Sequence, residues 1–266
     1  MSVRIATVQF APVYGDKRGN LQKMVRIVEE AAGKGAKLIV FPELATTGYS
    51  LMGVNDAIKF GELITPDVFA SHQTKFTPPM DPCQTMRVMQ ALVIKYDVHI
   101  VWGMVEQQVQ SETYYNSQVI LAPNLMFETY RKVNRWGNDY LWAAAGRSNP
   151  AIMTTDLGDG KQRKVGLLIC RDVRDKKDDK WSSFYEPGDA DIVCMSANFG
   201  DGGFPAVSWM EFAEDNKVTF VVSNRYGQEA NNNFGEGGIC VIEPSGKVHC
   251  EGLRWSADCI VYADIP

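Results

Sequence analysis

The stretch AKLIVFPE, residues 36–43, reads as a short buried strand that runs into a proline and then offers a carboxylate. Working backward, Gly33 and Gly35 close the preceding helix, as glycine does at a helix C-terminus. That helix, NLQKMVRIVEEAA (20–32), carries Leu21, Met24, Val25 and Val28 on one face. Before it, RIATVQF (4–10) alternates as a strand does. A β-α-β unit in the first 43 residues puts the chain in the α/β class.

Working forward, a second helix spans 84–96, with Met89, Leu92, Val93 and Tyr96 at i, i+3, i+4 and i+7. Strands are predicted at 99–106, 113–123 and 126–133, the last two joined by a tight turn at Pro123-Asn124. Further strands fall at 164–170, 191–197, 219–224, 237–244 and 258–265, with a helix at 208–217 and a hairpin turn EPSG at 243–246. Hairpins imply antiparallel pairs and helical crossovers imply parallel ones. A mixed sheet, or two sheets packed together with helices outside, accommodates both. No G-x-G-x-x-G follows the first strand, so a Rossmann fold fits poorly. With no repeat and no long linker, residues 1–266 are expected to form one domain.

Composition narrows the function. Hydrophobic content of 45% and charged content of 22% are those of a globular protein with a full core. A net charge of −5 disfavours nucleic acid or an anionic membrane as partner. None of the six cysteines pairs at C-x-x-C spacing, and none of the three histidines stands at zinc-ligand spacing. No metal or cofactor is therefore expected. The start MSVRIATVQF lacks signal-peptide features, and no apolar run approaches the roughly 20 residues of a membrane span. A reducing cytoplasm is the expected location.

Three strand ends each deliver one reactive side chain. Strand 36–43 ends in Glu43, strand 126–133 carries Lys132, and VGLLIC (165–170) ends in Cys170, just where a run of charges begins. Singly, each has an ordinary reading: a loop acid, a surface lysine, an inert core thiol. Together they are complementary, because a thiol needs a base or a cation to become a nucleophile and no histidine offers itself.

At these residues the chain resembles a family. FPELATTGY (41–49), YRKV (130–133) and GLLICRD (166–172) are similar, in order and spacing, to the three signature segments of the nitrilase superfamily, the carbon–nitrogen hydrolases. VRIATVQFAP (3–12), YYNSQVILAP (114–123), WMEFAEDNKVTFVVSNRYG (209–227) and GEGGICVIEPSGKV (235–248) extend the resemblance over nearly the whole chain. The resemblance implies a four-layer αββα sandwich, two mixed β-sheets with helices on the outer faces, assembled as a homodimer or larger homo-oligomer. It implies Glu43 as general base, Cys170 as nucleophile, and Lys132 with the backbone N–H of Arg171 stabilising the oxyanion. The implied reaction is hydrolysis of a small carboxamide through a thioester. N-carbamoyl-amine hydrolysis and nitrile hydrolysis on the same triad are the alternatives, with a catalytically silent binding protein of the same fold as the non-enzyme reading. A cysteine protease would want a histidine partner.

The chain departs from the family pattern in several places. Asp139 stands where a second glutamate is usual, one methylene shorter. Asn134 replaces a histidine, and Arg171 replaces a Tyr or Trp. Trp136 lines the pocket or is plain core. Arg174 either reads a substrate carboxylate, as arginine near this offset does in carbamoyl-amino-acid hydrolases, or is a solvated charge in RDKKDD. Asn198 and Phe199, just past a strand end, face the pocket or make a turn.

Overall fold

Strand β2 (Leu38–Val40) is apolar throughout because it is covered on both faces and both edges. Parallel strands flank it, β1 (Val3–Gln9) on one side and β4 (His99–Gln107) on the other, with Leu38 paired to Ile5 and to His99. A computed structural model describes residues 2–64, 83–147, 151–173, 185–200, 204–235, 237–251 and 257–266. The first sheet runs β15 (Cys259–Ile265), β1, β2, β4, β5 (Tyr114–Leu121), β6 (Phe127–Arg131), with β3 (Glu62–Leu63) also on β4. The second runs β14 (Val248–Glu251), β13 (Cys240–Ile242), β10 (Thr219–Ser223), β9 (Ile192–Ser196), β8 (Gln162–Ile169), β7 (Ile152–Asp156). Each mixes parallel and antiparallel pairs. A small hairpin, β11 (Gln228–Glu229) with β12 (Asn232–Asn233), lies apart from both sheets.

Alternation sorts the side chains into layers. Ile5, Leu38, Val40 and Val101 point inward, where they join Leu167, Ile169, Cys194 and Val221 of the second sheet. Ala6, Val8, Ile39 and Ile100 point outward, against Leu21, Met24 and Val28 of α1 (Lys17–Gly33) and Met89 and Val93 of α3 (Gln84–Tyr96). On the far side, α5 (Val207–Asn216) packs on the second sheet, with the rings of Phe212 and Phe220 4.7 Å apart. The result is the αββα sandwich. Each buried Val, Leu or Ile contributes about 1.5–3 kcal/mol to it. No helix among the described residues is long and apolar enough to cross a membrane.

Side-chain hydrogen bonds stitch the sheets together at one end. Thr7 Oγ1 donates to the Val222 carbonyl (2.7 Å), Ser223 Oγ to Val8 (2.6 Å), Ser196 Oγ to Phe41 (2.7 Å) and Gln118 Nε2 to Ser196 Oγ (2.8 Å). Each contributes about 1 kcal/mol net, and together they fix how the sheets register. They lie at the C-terminal ends of β1, β2, β9 and β10, the end where β2 leads into Glu43.

Some strands are shorter than the sequence predicts, while 99–106 and 164–170 are each one residue longer, as His99–Gln107 and Gln162–Ile169. The stretch 36–43 is strand only to Val40, because Pro42 has no N–H to give the ladder. Strand 126–133 stops at Arg131, leaving Lys132 just beyond the edge. Besides the two-residue strands β3, β11 and β12, the periodicity misses β7, α2 (Val54–Phe60) and the four-residue α4 (Asp139–Trp142). The last is too short to show a period.

Candidate active site

Glu43 is placed by close backbone packing. Phe41 donates to the Val101 carbonyl (2.8 Å) and Gly103 donates to Pro42 (3.2 Å), which carries the chain past the strand end. A Cβ on Gly103 would stand 2.7 Å from Glu43 Cα and 2.5 Å from Leu44 N, so only glycine allows this approach. Leu44 then turns through the left-handed region, with φ 50°. Lys132 is held at its backbone, its N–H donating to Asn116 (2.9 Å) and its carbonyl accepting from Gly146 (2.8 Å). Cys170 follows β8 directly and begins the single helical turn Cys170–Asp172, with φ 44°. That conformation costs a non-glycine residue about 1–3 kcal/mol and concentrates at functional sites.

The side chains converge. Lys132 Nζ lies 2.7 Å from Glu43 Oε1 and 2.7 Å from Asp139 Oδ2. Asn116 Nδ2 donates to the same two carboxylates, at 2.7 Å to Glu43 and 3.1 Å to Asp139. Asp139 opens α4 and also accepts the Trp136 N–H (3.0 Å), so the short side chain reaches Lys132 because a helical turn brings it there. The second oxygen of Glu43, Oε2, is buried with no hydrogen-bond partner among the described residues.

The electrostatics follow from two buried carboxylates sharing one ammonium. Burial pushes the Glu43 carboxyl up; Lys132 opposes this and Asp139 adds to it, and the net direction is upward. Burial alone would lower the Lys132 ammonium, but Glu43 and Asp139 together hold it well above its usual range. Burial, then Glu43, pushes the Cys170 thiol up, against Lys132 and an N–H donated by the Asn198 backbone. At neutral pH the lysine is therefore charged and the resting thiol protonated. Any chemistry at sulfur therefore needs a base, and Glu43 is the carboxylate that acts most strongly on the thiol.

Asp172 is a further buried acid, at the point where the run of charges begins. It accepts the Tyr130 hydroxyl (2.9 Å) and the Asn134 N–H (2.8 Å), tying the cysteine turn to the segment around Lys132. Burial pushes its carboxyl up to about 6. A raised folded-state value means the folded protein binds this proton more tightly than the unfolded chain. The group's contribution to stability is thus favourable below its unfolded value and is lost as pH rises through about 6. Protonation near pH 6 weakens a tie between the segments that carry Cys170 and Lys132. We expect an acid-side fall in kcat that Asp172→Asn removes or displaces. An unchanged pH profile in that variant would assign the acid limb to another group.

The remaining candidates separate. Trp136 is 55% exposed, at the rim rather than in the core, with the Arg171 guanidinium 4.5 Å above its ring and its carbonyl accepting the Tyr49 hydroxyl (2.8 Å). Asn198 is only 8% exposed, and neither side-chain polar atom has a partner among the described residues. Its neighbour Phe199 is clamped by Asn224, whose Oδ1 accepts the Phe199 N–H (2.8 Å) and whose Nδ2 donates to the Phe199 carbonyl (3.3 Å). The Phe199 ring packs edge-on against Trp209, 5.2 Å away. Arg174 lies outside the described residues.

Sequence reasoning did not single out Asn116, Tyr49, Asp172, Arg225 or Glu229. Asn116 and Tyr49 sit inside the motif segments YYNSQVILAP and FPELATTGY, which is the signal that could have found them.

With fold and geometry in hand, the class is clear. Residues 4–266 match the carbon–nitrogen hydrolase family, and the chain belongs to it, as a cysteine-based hydrolase acting on carbon–nitrogen bonds. Among its relatives, a probable nitrilase of Schizosaccharomyces pombe is 28% identical over 256 residues, covering 93% of this chain and 83% of the relative. An (R)-stereoselective amidase of a Pseudomonas species is 25% identical over 264 residues, covering 99% and 85%. A solved structure of an amidase from Nesterenkonia sp. AN1, a double mutant in complex with acrylamide, superposes with a TM-score of 0.77 at 18% identity, covering 100% of this chain and 91% of that one.

Proposed function

We propose that the protein is an amidase that hydrolyses a small carboxamide to a carboxylic acid and ammonia. The observation that carries this is a pair of buried acceptors without donors among the described residues, Glu43 Oε2 and Asn198 Oδ1, on residues that act on the Cys170 thiol. A buried acceptor left unpaired costs about 1–3 kcal/mol. A carboxamide nitrogen brings two N–H donors, whereas a nitrile brings none, and the amide reading therefore fits better.

In this reading Glu43 takes the thiol proton as Cys170 Sγ attacks the carbonyl carbon. The negative charge that develops on oxygen is met by the Lys132 ammonium and the Arg171 backbone N–H, donors fixed before the reaction begins. Glu43 passes its proton to the departing nitrogen, the C–N bond breaks, ammonia leaves, and a thioester remains. Water then gives a proton to Glu43 and attacks the thioester. The C–S bond breaks, and the thiol recovers its proton. The covalent intermediate replaces one difficult step by two easier ones.

A panel of amides, nitriles and carbamoyl compounds, read by ammonia release, tests the assignment, and turnover of nitriles alone would overturn it. Asn198→Ala is expected to lower kcat/KM for the best amide about tenfold, the worth of one good hydrogen bond. An unchanged value would remove Asn198 from the substrate's contacts.

A further inference from the structure

The loop that follows Glu43 is held from the far end of the chain. Glu229, on the β11 hairpin and 8% exposed, accepts the N–H groups of Tyr49 (2.7 Å) and Ser50 (2.6 Å) on its Oε1. Its other oxygen lies 3.0 Å from Nη1 of Arg225, a guanidinium only 1% exposed. Gly48 makes room for this carboxylate: φ is +81°, and a Cβ there would meet Glu229 Oε2 at 2.5 Å. Arg225 lies 4.1 Å over the ring of Phe234, which packs edge-on against Tyr49 with ring centres 5.6 Å apart.

Both ends of this assembly reach the catalytic groups. Thr47 and Gly48 donate to the Leu44 carbonyl (3.1 and 2.9 Å), so the held loop is continuous with the turn that aims Glu43. The Tyr49 hydroxyl donates to the Trp136 carbonyl, and the Trp136 N–H donates to Asp139, the partner of Lys132. Stability alone does not call for such a device. A buried ion pair is often no more stabilising than well-packed apolar side chains, and its best-attested use is to fix one geometry among several.

We propose that the Glu229–Arg225 pair is a positioning device: it sets the 44–50 loop, and through it the placement of Glu43 towards Cys170 and of Asp139 towards Lys132. The inference rests on the reading of Glu43 as base to the Cys170 thiol. Neither residue of the pair is assigned a contact with substrate.

The test uses the full-length protein and two readouts: ammonia release per titratable Cys170, and the rate and pH dependence of Cys170 alkylation by iodoacetamide, with the site confirmed by peptide mass. Glu229→Ala is expected to lower kcat and the alkylation rate together, by about a hundredfold, as misplacing a reacting group by an ångström does, with KM changed far less. Glu229→Gln keeps an oxygen for Tyr49 and Ser50 but leaves Arg225 without its counter-charge; we expect a loss of about tenfold. Adding Arg225→Met to Glu229→Gln should restore part of that loss, because contacting residues do not act additively. A purely structural role would lower the melting temperature and the yield of titratable thiol, yet leave both rates per thiol unchanged, and that result overturns the proposal. So does strict additivity in the double variant, which decides the matter if Glu229→Ala does not accumulate folded. Alkylation needs no substrate. A wild-type protein that releases no ammonia from any amide would therefore count against the amidase reading, while the alkylation rates still judge the pair.

Discussion

Cys170→Ala is expected to reduce ammonia release from the best amide by about five to six orders of magnitude, the scale seen when an enzyme loses its nucleophile. The reason lies in how little else could substitute. Thr46 and Thr47, also buried and close in sequence to Glu43, are hydroxyls with no histidine beside them among the described residues; in the proposed mechanism only the Cys170 sulfur has Glu43 as its base. The fold should survive. Deleting one sulfur from a buried site creates a small void, and alanine tolerates the positive φ of position 170 no worse than cysteine does. Circular dichroism and melting temperature should stay close to wild type while turnover disappears. Residual turnover above about 1% with an intact fold would mean that another group performs the attack, since losing a nucleophile leaves far less than that. Cys170→Ser refines the result. The hydroxyl keeps the shape of the thiol, but it is a far weaker acid, so Glu43 gains little by facing it. We expect this variant to be as inactive as the alanine.

The layers of the fold were legible because burial leaves a local trace. Leu38, Ile39 and Val40 are apolar in succession since alternate residues serve the inner and the outer core, and a run buried on both faces shows no alternation. The three candidate catalytic residues were legible because each closes a strand with chemistry that its neighbours do not share. Periodicity is silent, however, about partners. Tyr49 and Glu229 are 180 residues apart, and nothing within ten residues of either marks the other. Asp172 follows an arginine and precedes a charged run, the pattern of a solvated turn, yet Tyr130 and Asn134 enclose it. Burial of a charge depends on what folds over it, and the residues that cover Asp172 come from a different strand edge. Asp139 is the intermediate case: its place in order was readable, but whether its shorter side chain reached Lys132 depended on a four-residue helix with no periodic signal.

Asp139→Asn is expected to lower kcat by about a hundredfold or more, because buried donors engage both oxygens of this carboxylate. Asp139 receives three donors: Lys132 Nζ, Asn116 Nδ2 and the Trp136 N–H. An asparagine offers a single acceptor oxygen and adds an NH₂ that would face one of those donors. At least one buried donor is stranded, which costs about 1–3 kcal/mol of stability and should lower the melting temperature by several degrees. The electrostatic consequence has a definite sign. Asp139 raises the Glu43 carboxyl by like-charge repulsion and shares the ammonium that would otherwise lower it. Without that negative charge, Lys132 serves Glu43 alone, the Glu43 carboxyl moves down, and the base grows weaker. The Glu43 limb of the pH–rate profile should therefore move to lower pH as kcat falls. Asp139→Glu keeps the charge and both oxygens but forces an extra methylene into a site with no free surface, a strain of about 1–3 kcal/mol. We expect it to melt earlier than wild type yet to retain more activity than Asp139→Asn, with the acid limb unmoved. If Asp139→Asn kept wild-type kcat and pH profile, Lys132 would need only Glu43, and the carboxylate at 139 would be serving the fold alone.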